Sequence, residues 1–112
     1  MDVLRLDEAL GELQSIGSEI GLRTWHQAPS YEVGLIAFYP RTDDDPRQIC
    51  HAQRDVVCHA LRGAGRLRLE GETLPVEPGA LYRIPAGTPH DFAALGSEPL
   101  VLLYTLITVD PA

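Results

Sequence analysis

Residues 79–90, Gly-Ala-Leu-Tyr-Arg-Ile-Pro-Ala-Gly-Thr-Pro-His, restrict the possible folds more than any other stretch of the chain. Gly79 follows Pro78, and a Pro-Gly pair marks a tight turn. Residues 81–84 read as a short strand. Pro85 ends it, because proline has no N–H to give to a ladder. Gly87 allows a backbone shape closed to other residues. His90 then opens the next strand, so a histidine is fixed beside a β-turn between two short strands.

The remainder follows the same rhythm. Strands are expected over about 21–26, 31–39, 55–61, 66–70, 80–84, 89–94 and 100–109. Turn signals fall at Gly63-Ala64-Gly65, Glu70-Gly71-Glu72, Pro78-Gly79, Ala86-Gly87 and Gly96-Ser97. Short strands with regular turns indicate an all-β sandwich or barrel. One helix is expected at the start, over 6–16, where Leu6, Ala9, Leu10, Leu13 and Ile16 form a single helical stripe. The reading divides the chain into an N-terminal helical segment, 1–20, and a barrel, 21–112.

A chain of 112 residues is one domain, with 45% apolar residues to build a core. Its net charge of −7 argues against nucleic acid or an anionic membrane as partner. No apolar run reaches the length of a transmembrane helix, and the acidic N-terminus lacks a secretory signal. Two cysteines, Cys50 and Cys58, make no disulfide scaffold, so the expected location is a reducing cytoplasm. All nine basic residues are arginine, which removes any lysine-based covalent or general-base mechanism.

The spacing G-x5-P-x-G-x2-H across Gly79, Pro85, Gly87 and His90 resembles the second signature motif of the cupin superfamily. The resemblance implies an all-β double-stranded β-helix, or jelly-roll barrel, with a short N-terminal helix. It covers roughly residues 30–109. The family's first motif, H-x-H, a spacer, Glu, six residues and Gly, is altered in this chain. With Gly63 as anchor, the Glu position falls on Val56, the second histidine on His51 and the first on Ile49. An alternative register pairs His51 with Gln53, at the cost of the Gly63 match. Two of four usual ligands, His51 and His90, therefore survive.

What the resemblance implies is a small-molecule-binding cupin holding one divalent transition metal (Zn, Ni, Fe or Mn) on His51 and His90, and strand alternation offers Cys58 as a soft third ligand. Cys58 shares a strand face with Val56. As an enzyme, such a site polarises a substrate oxygen through the metal, or uses one histidine as a general base. The altered motif supports an alternative: a metal-free sensor or binding module for a small organic acid. Candidate ligand contacts are His90, Arg83 as a carboxylate clamp, and His26 and Tyr31 at the barrel mouth. His59 and Tyr104 are expected on outward faces. The continuously apolar stretch Val101–Val109 implies a strand covered on both faces, hence a homodimer through 101–109 or 55–61.

Overall fold

The computed structural model describes residues 1–43 and 47–109. One short helix, α1 (Leu6–Leu10), precedes nine strands. These are β1 (Gln14–Ile16), β2 (Ile20–Ala28), β3 (Tyr31–Phe38), β4 (Arg54–Arg62), β5 (Gly65–Leu69), β6 (Glu72–Val76), β7 (Leu81–Ile84), β8 (His90–Ala94) and β9 (Leu100–Thr108). They form a six-stranded sheet, ordered β1-β2-β3-β9-β4-β7, and a three-stranded sheet, ordered β6-β5-β8. Every described pairing is antiparallel. This is the expected jelly roll, with the two sheets closing over one core.

The core is read directly from strand parity. On β4, Val56, Cys58 and Ala60 are buried, while Asp55, Val57 and His59 lie on the other face. Opposite them, Leu67 of β5 and Phe92 of β8 face inward as a cross-strand pair. Phe38 meets Phe92 at a ring separation of 5.5 Å, which joins the sheets near one end of the barrel. On β9, Leu100, Leu102, Tyr104 and Leu106 all point inward. Pro75 lies in β6, an edge strand, where its missing N–H costs no ladder bond.

The expected helix over 6–16 is shorter than its apolar stripe suggested. It ends at Leu10, and residues 14–16 instead form β1, pairing with 20–22 across the turn at 17–19. Leu13 and Ile16 fit a helical period, but a hairpin brings Ile16 to the open end of the barrel, where it lines the interior cavity. Arg62 bonds Asp7 at 2.6 Å, and Arg23 reaches Glu12 at 3.5 Å. In the ladders Arg62 pairs with Val101 and Arg23 with Leu35, so segment 7–12 crosses the outer face of the large sheet. Its Ala9, and Leu35, Ala37 and Val101 of the sheet beneath it, are as buried as the core.

The small sheet carries charge on its outer face. Asp91, 1% exposed, accepts from Arg66 Nη1 at 3.1 Å and from Arg68 Nη2 at 2.6 Å. Arg41, from the connection after β3, brings a third guanidinium to 3.9 Å. Burial alone would raise the Asp91 pKa; hydrogen bonds from Arg68 and Arg66, with the charges of Arg66 and Arg41, outweigh it and hold the carboxyl below its usual range.

Candidate functional site

The turn anticipated at 85–90 is what assembles the site. Gly87 adopts φ 81°, and its N–H bonds the His51 carbonyl at 2.8 Å. Further along, His90 and Ile49 exchange both backbone hydrogen bonds, at 2.7 and 2.9 Å. The chain before β4 is thus clipped to the start of β8 by main-chain groups alone. The clip brings the two imidazoles together, with ring centroids 6.1 Å apart and planes inclined by 36°.

Both rings line an interior cavity of about 230 Å³ between the sheets. Ile20, Leu22, Ile36, Val56, Leu102 and Leu106 supply much of its apolar wall. His90 is 3% exposed and stands edge-on to Phe92, at 6.0 Å and 83°. Its Nδ1 lies 3.0 Å from the Thr88 carbonyl oxygen. His51 is half-buried, and its pKa is lowered first by that burial, then by the neighbouring His90 and Arg54; Glu32 opposes the shift.

Cys58 lines the same cavity, as its strand parity implied. Burial pushes its thiol up to about 12, so it is protonated at neutral pH in the metal-free chain. Among the described residues, no group of three or more His, Cys, Asp or Glu side chains could hold a metal ion. The positions that would complete the family set are occupied by Ile49 and Val56, both in the cavity wall and neither able to donate an electron pair. Among the described residues the two imidazoles are therefore one short of the three grouped protein ligands usual for a catalytic metal. The donor set does not fit the divalent metal that the motif resemblance implied.

Three other expected contacts lie elsewhere. Arg83 is not a clamp in the cavity: its side chain is 64% exposed on β7 and bonds Asp55 Oδ2 at 2.8 Å. Arg83 pairs with Val57 across the ladder, which puts it on the outer face. His26 and Tyr31 flank the β2–β3 turn and stack on each other at 5.6 Å, with Tyr31 Oη and His26 Nδ1 3.0 Å apart. Neither lines the cavity. At the hairpin tip each ring packs on the other rather than over the barrel mouth.

Two polar cavity residues, Tyr104 and Glu32, were not among the candidate ligand contacts. Tyr104, expected outside, is 6% exposed and lines the cavity. Its hydroxyl donates to Glu32 Oε2 at 2.8 Å and lies 3.2 Å from Thr24 Oγ1. Glu32 Oε1 accepts from Gln27 Nε2 at 2.8 Å, and Arg54 stands 3.7 Å away. Tyr104 reaches across β3 because Gly34 has no side chain; a Cβ there would collide with the tyrosine hydroxyl and the Arg23 carbonyl. The signal was present in β3, where Glu32 shares parity with Ile36 and Phe38 around a mid-strand glycine, and such a glycine marks a close approach.

A jelly roll enclosing a mainly apolar cavity, with two histidines delivered by a Pro-x-Gly turn, defines a small barrel of the cupin type. The family model described as "Cupin domain" matches residues 34–106, and the chain belongs to that family. No curated protein sequence matches it. Solved structures do. The Cnp3 cupin domain of Schizosaccharomyces pombe is 16% identical, with a TM-score of 0.76 over 87% of this chain and 68% of that one. The TT1209 protein of Thermus thermophilus is 22% identical, with a TM-score of 0.74 over 96% and 98%. KdgF from Halomonas sp. is 22% identical, with a TM-score of 0.72 over 88% and 87%. At these identities the likeness is one of fold.

Proposed function

We propose that the chain is a binding module whose barrel cavity takes one small, largely apolar molecule, with no metal between that molecule and the histidines. The observation that carries this reading is the wall itself. His51 and His90 have no grouped third ligand among the described residues, and the family's other ligand positions are filled by Ile49 and Val56. An apolar enclosure with a few converging polar groups is the usual form of a small-molecule site. A buried apolar surface supplies affinity, at roughly 25 cal/mol per Å² removed from water, and the imidazoles supply orientation.

The test is elemental analysis of untagged protein purified without added metal, before and after soaking with zinc, nickel, iron or manganese and desalting. Well under one metal per chain is the expected result. A stoichiometric, slowly exchanging metal would overturn the metal-free reading and return the chain to the enzymatic one, with His51 and His90 as ligands.

A further inference from the structure

We infer that the molecule taken by this cavity presents an uncharged hydroxyl, as an alcohol or phenol, to His51 and His90. The inference rests on the cavity being a metal-free binding site and concerns the polarity of its histidine end. A carbonyl oxygen only accepts hydrogen bonds, so the 3.0 Å contact from His90 Nδ1 to the Thr88 carbonyl places the ring proton on Nδ1. In the neutral ring, Nε2 is then an acceptor, and it has no hydrogen-bond partner among the described residues. The turn that delivers His90 also fixes its tautomer, since Thr88 precedes it by two residues.

The neighbouring polar groups reinforce this acceptor character. Glu32 contributes a carboxylate to the same wall. The Tyr104 hydroxyl already donates its proton to Glu32 Oε2 at 2.8 Å, so it has no donor left for a ligand. No arginine or lysine lines the cavity among the described residues. An incoming carboxylate would face the His90 lone pair and the Glu32 charge with no arginine or lysine in the cavity wall to meet it, and a buried uncompensated charge is costly. An ammonium would find Glu32 already served by Tyr104, Gln27 and Arg54. A hydrocarbon would leave Nε2 unpaired.

A hydroxyl avoids each penalty. It donates to His90 Nε2 and accepts from His51, whose ring makes no hydrogen bond to the described residues. Two hydrogen bonds of about 2.8 Å from one oxygen span nitrogens up to about 5.6 Å apart, and the two ring centroids here are separated by 6.1 Å. The apolar body is limited by size. A dry cavity of about 150 Å³ accommodates benzene, so the roughly 230 Å³ here suits a phenol carrying a short alkyl group.

The experiment compares three probes of similar shape, 4-ethylphenol, 4-ethyltoluene and 4-ethylbenzoate, titrated into the full chain at pH 7.5 and followed by backbone and histidine-ring NMR shifts. The phenol should bind about tenfold more tightly than the hydrocarbon and than the benzoate, the scale expected for one unpaired buried polar group. In His90→Phe the phenol should lose its advantage over 4-ethyltoluene, while 4-ethyltoluene binds as before. Should that variant not fold, the wild-type series decides alone. Tightest binding by the benzoate, or equal binding by phenol and hydrocarbon, would overturn the hydroxyl assignment and leave the cavity as a binding site. Titrations that move no signal of a cavity-lining residue with any probe would overturn the binding-site reading as well.

Discussion

His51 couples the site to solvent pH. Burial, then the neighbouring His90 and Arg54, lower its pKa from 6.5, so the folded chain takes up that proton less readily than the unfolded chain. Between the depressed value and about 6.5 the unfolded state binds more protons, and stability rises with pH. The contribution of neutral His51 is complete above this window and is lost as pH falls through it. Urea midpoints recorded from pH 7.5 down to pH 5 should therefore decline, and His51→Gln should flatten that decline. An identical slope in the variant would assign the titration to another group.

At this same scale the sequence was legible where one residue had one physical job. His51 and His90 are joined because the Pro-x-Gly turn admits few geometries, and Cys58 faces inward because Val56 does. Tyr104 was misassigned because its strand offers no alternation: 101–104 is Val-Leu-Leu-Tyr, and either parity looks buried. Arg83 was ambiguous for the converse reason. Its partner Asp55 is 28 residues away, and only the β4–β7 pairing brings them together.

Among the elements, β4 and the segment before it determine whether the barrel can hold a metal. Ile49 and Val56 sit where the family carries His and Glu, and both already line the cavity beside His51 and His90. The double variant Ile49→His, Val56→Glu should therefore bind a divalent transition metal more tightly than the wild type does. Without metal it should be destabilised, because a glutamate is introduced into an apolar wall with no partner. Added metal should restore stability, by about 2.7 kcal/mol at a hundredfold excess over Kd. Thermal melts with and without nickel check both halves. A variant that folds but stays metal-free would show that ligand identity alone does not set the site's chemistry.

Seven of the nine described strands were legible to within about two residues, since turns and alternation mark their ends. The N-terminal helix was not, because Leu6, Ala9, Leu10, Leu13 and Ile16 satisfy a helical period whether or not the chain continues as a helix. Tertiary pairing decided: a strand at 14–16 gains ladder bonds from β2 that a longer surface helix would lack. β6 was absent from the expected strands because Pro75 argues against a strand until the strand is known to be an edge.

For the whole molecule, the outer face of the large sheet is half covered. Segment 7–12 shields Leu35, Ala37 and Val101, but Val57 and Leu103 are only partly buried, and Leu81 and Ile107 are 70% and 41% exposed. We propose that a second copy of the chain covers this surface, in a two-fold dimer through β4 and β9. Light scattering at micromolar concentration should give about twice the 12.3 kDa chain mass. Leu81→Arg with Ile107→Arg should halve it while leaving the far-ultraviolet circular dichroism unchanged. A stable 12.3 kDa wild-type species would rule the dimer out.

The carboxylate of Asp91 fastens part of this architecture by charge rather than by apolar contact. It is 1% exposed and joins two arginines of β5 to Arg41 on a connection outside the small sheet. Buried pairs are screened little by dissolved ions, so salt should leave this fastening intact. Protonation removes a negative charge on which three guanidinium groups converge. Because the Asp91 pKa is depressed on folding, its stabilisation is complete above about 3.8 and disappears as pH falls through the lower folded value. The connection carrying Arg41 therefore has an acid-labile latch, closed across the neutral range and indifferent to ionic strength.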